Sequence, residues 1–127
     1  MKEKIELEYS LNSASSVLFD HLSTPSGLSH WFADNVNVNG KDFIFVWKNS
    51  EERAKILSKK QGKFIRFQWE EDFEDEEDYF FEFKMIKDEI TGVSSLIVTD
   101  FVDADDIDEA IDLWDSQIGE LKRFLGI

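Results

Sequence analysis

Residues 105–127 read DDIDEAIDLWDSQIGELKRFLGI, and their apolar positions decide the fold. Ile107, Ile111, Trp114, Ile118, Leu121 and Leu125 recur at alternating steps of four and three, which places them along one stripe of a helix. Asp, Glu, Lys and Arg occupy the other faces. The spacing predicts a helix from about Asp106 to Leu125, roughly 30 Å long at ~1.5 Å per residue, close to the width of a small domain. Such a stripe must be buried. The segments upstream read mostly as short strands, so the partner expected for it is the concave face of a sheet.

Working outward, KIELEYSL (Lys4–Leu11) alternates cleanly, with Ile5, Leu7, Tyr9 and Leu11 on one side. Asn12 or Ser13 is placed to cap a short helix carrying Val17, Leu18 and Leu22, because their side-chain oxygens can accept from free amides of a first turn. Pro25 and Gly27 turn the chain, and a second short helix is expected over Ser26 to Ala33 with Leu28, Trp31 and Phe32 inward. The polar stretch 34–42 contains Asn39-Gly40, a hairpin turn pair. Strands are then expected at Phe43–Trp47, Arg53–Ser58, within KFIRFQWE, within YFFEFKMI and over Ser94–Val102. Between Glu70 and Asp78 every residue except Phe73 is acidic, and that density of like charge predicts a solvated loop. The fold class is α+β: one antiparallel sheet of about seven strands, two short helices after the first strand and a long C-terminal helix.

Composition narrows the function. A chain of 127 residues suits a single domain with one sizeable core. Twelve Phe and four Trp make the apolar content bulky. A net charge of −14 disfavours nucleic acid and anionic membrane surfaces, whose affinity comes from Lys and Arg. The chain has no Cys and two His, so disulfides, thiolate chemistry and a Cys- or His-ligated metal are not expected, and no cofactor is implied. The N-terminus has no apolar core of a secretory signal, and no ~18-residue apolar run suggests a membrane span. A cytoplasmic location is the expectation.

The order of elements resembles the START-like or SRPBCC superfamily, the helix-grip fold, and within it the branch related to the activator of the heat-shock-protein ATPase. Thr24-Pro25-Ser26-Gly27-Leu28-Ser29-His30-Trp31-Phe32 is similar to a "T-P-x-x-L-x-x-W" run that closes the helical elbow in that branch. The strand ends at Trp47 and Trp69 carry the resemblance too, as does Trp114-Asp115 followed by Leu121 and Leu125-Gly126. It spans essentially the whole chain. What it implies is a curved sheet gripping the C-terminal helix, with a cavity between them. It implies little chemistry, because such relatives include lipid carriers, hormone receptors, cyclase-like proteins and chaperone-ATPase activators. The chain is short, with short inter-strand loops, so a sterol-sized cavity is not expected.

Candidate ligand-binding residues are the rings on faces that should meet the helix. On the strands these are Phe45, Trp47, Phe67, Trp69, Phe81 and Phe83; on the helices, Trp31, Trp114 and Ile118. They either line an apolar pocket or simply fill the core. Tyr9, Arg66, Gln68, Tyr79 and Asp100 are the polar groups available to orient a ligand, and a one-residue change of register would reverse which of them point inward. Asp103, Asp105, Asp106, Asp108 and Glu109 sit where the long helix begins and are expected to stabilise its first turn. His21 and His30 have no partner at motif spacing, no catalytic residues are assigned, and no phosphate-binding glycine motif occurs.

Two functions follow as expectations. One is a non-enzymatic module holding a small hydrophobic ligand, a lipid or aromatic metabolite. The other is a protein-interaction module that offers its acidic exterior to a basic partner. An enzymatic role has the least support, and a homodimer through an exposed sheet edge or an apolar patch is left open.

Overall fold

The computed structural model describes residues 1–127. Seven strands form one sheet: β1 (Lys2–Leu11), β2 (Asn35–Asn39), β3 (Asp42–Trp47), β4 (Ser50–Lys60), β5 (Phe64–Trp69), β6 (Phe81–Lys87) and β7 (Ser94–Asp103). Their order is β1-β7-β6-β5-β4-β3-β2, so β2 to β7 is a meander of neighbours and β1 closes on the last strand. Every pairing is antiparallel, and β1 runs from Lys2 opposite Asp103 to Leu11 opposite Ser94. Helices α1 (Ser15–Ser23) and α2 (Pro25–Leu28) follow β1, α3 (Glu70–Glu74) follows β5, and α4 (Ile107–Leu125) comes last, after a 3₁₀ turn over Ala104–Asp106.

The pleat explains the core. Phe43 and Phe45 on β3, Ala54 on β4, Ile65 and Phe67 on β5, Phe81, Phe83 and Met85 on β6, and Leu96 and Val98 on β7 are all buried and belong to one cluster with Trp114, Ile118 and Leu121 of α4. The stripe read from the sequence is therefore the face that packs, with Ile107, Ile111 and Leu125 half-buried at its ends. The end of α4 is set by Gly126, whose φ of 75° is left-handed and whose N–H donates to the Arg123 carbonyl, while Ile127 N–H donates to Lys122. Asp108 and Glu109 in the first turn and Lys122 and Arg123 in the last match the helix dipole.

Several local expectations need correction. Residue Ala14, not Asn12 or Ser13, precedes α1, and no side chain caps that helix. Val17 is exposed whereas Phe19 is buried, because α1 turns its Leu18-Phe19-Leu22 side to the core. The second helix is shorter than Ser26 to Ala33. Pro25 starts it instead of ending the first, and Thr24 Oγ1 accepts from Gly27 N–H at 3.0 Å as its cap. The elbow is tight: a Cβ on Gly27 would lie 2.6 Å from His21 Cα. The stretch NVNVN forms β2 despite three Asn, and Arg53–Ser58 is the middle of the eleven-residue β4. At α4 no side-chain cap bond forms, so the nearby carboxylates act through the dipole alone.

The acidic segment is also more ordered than a solvated loop. Its first half is α3, where Asp72 is buried and lies 3.7 Å from the Lys2 ammonium. Its second half folds over the outer face of the sheet: Gln68 Nε2 donates to the carbonyls of Glu77 at 2.8 Å and Tyr79 at 3.0 Å. Tyr79 and Phe80 then pack on Phe101, and the Arg66 guanidinium stacks 3.8 Å from the Phe80 ring while bonding Glu82 at 2.8 Å. Buried Gln68 and half-buried Lys2 thus offset the repulsion along this run.

Candidate functional site

Alternation fixes what faces α4. On β3 and β4, Phe45 is paired with Glu52 and Trp47 with Ser50, so those four share the concave face. Ala54 is paired with Trp69, which puts Trp69 on the same face. On β7 the inward row runs Leu96, Val98, Asp100, Val102, a carboxylate breaking an apolar series. These positions meet the first half of α4, where Ala110, Leu113, Trp114 and Gln117 lie within two turns of one another.

Between them is a groove of about 420 Å³, opening to solvent between the sheet and α4. Trp47, Trp69, Phe81 and Trp114 line it, joined by Phe32. Glu52 and Ser50 stand at its rim, with Asp100, Val102 and the α4 residues completing the wall. Phe32 stacks on Trp114 at 5.8 Å and meets Trp47 edge-on at 5.7 Å, and Trp69 lies 4.8 Å from Phe81. The Phe32 carbonyl accepts from Trp47 Nε1 at 3.0 Å and from Gln117 Nε2 at 3.2 Å, tying elbow, sheet and helix together at one point. A second open hollow of about 490 Å³ continues past Phe32 and Trp47 along Leu113 and Gln117 to His30 and Glu120.

The nine sequence-selected residues divide. Trp47, Trp69, Phe81 and Trp114 reach the groove. Phe45, Phe67, Phe83 and Ile118 are fully enclosed in the core, and Trp31 holds the elbow, its Nε1 donating 2.7 Å to the His21 carbonyl. Of the polar candidates, Asp100 lines the groove, whereas Arg66, Gln68 and Tyr79 serve the outer face. The Tyr9 hydroxyl donates to Asp115 at 2.7 Å, clamping β1 to α4. Burial, then that bond and the Asp115 charge, push the Tyr9 hydroxyl above its usual range.

Asp100 is held by two donors: Trp114 Nε1 at 3.0 Å on one oxygen and the Phe101 amide at 2.8 Å on the other. Burial nevertheless raises its carboxyl above the usual carboxylate range, against the pull of those bonds and of Lys2. Sequence reasoning missed Phe32, Glu52, Leu113 and Gln117. The signal for Glu52 was its place two residues from Ser50 on the Trp47 side of the hairpin, and for Gln117 its spacing of three from Trp114. His21 and His30 come together at 5.4 Å beside Phe124, with no carboxylate among their contacts. No three His, Asp or Glu side chains converge as a metal site would need.

The architecture has clear relatives. BfR322 from Bacteroides fragilis, solved in solution, is 43% identical with TM-score 0.69, covering 99% of this chain and 93% of its own. The Aha1 dimer from Colwellia psychrerythraea superposes with TM-score 0.79 at 15% identity, over 94% of this chain and 93% of that one. MLL2253 from Mesorhizobium loti gives 0.77 at 12% identity, over 98% and 97%. No curated protein matches the sequence. No helix is long and apolar enough to cross a membrane. The START-like superfamily domain matches residues 1–127 throughout, and with a sheet gripping a terminal helix beside an open groove, this chain belongs to that superfamily.

Proposed function

We propose that this START-like domain binds a small hydrophobic molecule, non-enzymatically, in the groove between the sheet and the first half of α4. The observation that supports this most is a space of about 420 Å³ with eight hydrophobic residues among its twelve, beside a core whose Phe45, Phe67 and Phe83 are fully enclosed. That volume lies within the ~300–1,000 Å³ usual for ligand sites. The bound molecule displaces water from five aromatic walls, and the three indoles at the groove report it directly. Titration with octan-1-ol should shift the indole N–H resonances of Trp47, Trp69 and Trp114 and raise the melting temperature. Ala110→Trp, which fills the groove from the helix side, should abolish both effects. Unmoved indoles across neutral lipids and aromatic metabolites would sink the reading.

A second reading is a protein-interaction module for a basic partner. It is favoured by Glu52, Glu70, Glu71 and Glu74, which surround a shallow hollow of about 270 Å³ with Arg53 as the sole cation there. Charge-neutralised α3 should then lose salt-sensitive binding to basic proteins, and an unchanged binding profile would remove this alternative. The cysteine-free composition supports a cytoplasmic setting.

A further inference from the structure

If the groove is the binding site, its walls also bear on the charge of what enters. The inward positions of a strand in a filled core are apolar, yet at this end of the sheet β4 places Glu52 and β7 places Asp100 on the concave side. An inward carboxylate costs desolvation, and Asp100 shows that cost in its raised protonation range. Polar residues that break an inward apolar row are expected where a ligand needs them.

The rest of the wall complements them. Three indoles and two phenyl rings line the space, and none of the twelve lining residues is Lys, Arg or His. Ring faces carry negative potential and attract cations, most strongly from Trp. Each Asp100 oxygen accepts only one hydrogen bond, which leaves acceptor capacity on a residue that lines the groove. The chain's −14 charge also concentrates cations around it.

We propose that the groove is an aromatic cage for an amphipathic organic cation, an amine or quaternary ammonium on an apolar body. Its positive centre sits against Trp47, Trp69 and Trp114 between the carboxylates of Glu52 and Asp100, and its apolar part lies along Leu113 and Val102. A neutral lipid would leave the half-buried Asp100 carboxylate facing hydrocarbon, and an anion would meet like charge.

The test compares octyltrimethylammonium, octan-1-ol and octanoate on the full chain at 0.15 M salt, read by indole N–H shifts. The cation should bind about tenfold or more tighter than the alcohol, with octanoate weakest. Glu52→Gln, at an exposed rim position, should cut the cation-to-alcohol ratio severalfold, as should Trp47→Leu, which keeps the apolar bulk and removes the ring. Glu8→Gln on the outer face of β1 controls for loss of general charge and should leave the ratio unchanged. An alcohol binding as tightly as the cation, or a ratio that falls equally with Glu8→Gln, overturns the cation preference while leaving a hydrophobic groove standing. No binding of any of the three overturns both.

Discussion

The two ends of the cleft under α4 differ sharply although one helix roofs both. Toward the helix C-terminus, Ile118 and Leu121 are 1% and 0% exposed and join Leu11, Leu18 and Leu22 in an enclosed core. Toward its N-terminus, Leu113 is 60% exposed and the sheet offers Ser50, Glu52 and Asp100 where the other end has Leu, Ile and Phe. The helix supplies apolar residues throughout; the strands decide which end closes. A grip fold can therefore keep its stability in one half and leave the other free to bind.

Truncation at the closed end should be costly. Leu121→Ala removes a fully enclosed side chain, and urea unfolding should show a loss of about 2–5 kcal/mol. Should the loss stay near zero, the closed end is not packed as described. Gly27→Ala, in the elbow that walls this end, should cost about 1–3 kcal/mol, because its Cβ meets backbone that cannot yield. Between the two ends, Tyr9→Phe deletes the hydroxyl that clamps β1 to α4 and should cost about 0.5–1.5 kcal/mol, toward the lower figure given its exposure.

That clamp also predicts a pH dependence. The folded Tyr9 holds its proton above the ordinary value of 10.0, so its contribution is whole below pH 10 and falls as pH rises further. Stability curves of the wild type and Tyr9→Phe should converge in alkali, and parallel curves there would show that neither burial nor Asp115 holds the proton on Tyr9. The smallest effect belongs to the open end: Leu113→Ala should change stability by less than about 0.5 kcal/mol while weakening octan-1-ol binding. A destabilisation as large as that of Leu121→Ala would erase the distinction between the two ends.

Much of the fold was legible because it rests on periodicity. The step of four and three from Ile107 to Leu125 and the alternations of β1, β5 and β6 each name the buried face without outside help. What escaped lacked a local signature. Asn-rich β2 forms because its Val36 finds the core, overriding a poor strand propensity. The acidic run orders because Gln68, on the strand just before it, and Lys2, distant in sequence, supply partners. The aromatic candidates were identified as one set, and only packing divided them into four groove walls and five structural residues.

By itself the chain determined its elements, the helix stripe and the inventory of rings and carboxylates, since those follow from the chemistry and spacing of neighbours. Tertiary structure alone decided that Glu52 and Asp100 turn inward toward the same indoles, and that the cleft stays open there. The register of seven strands sets both, and register is a property of pairs of segments that no single segment encodes.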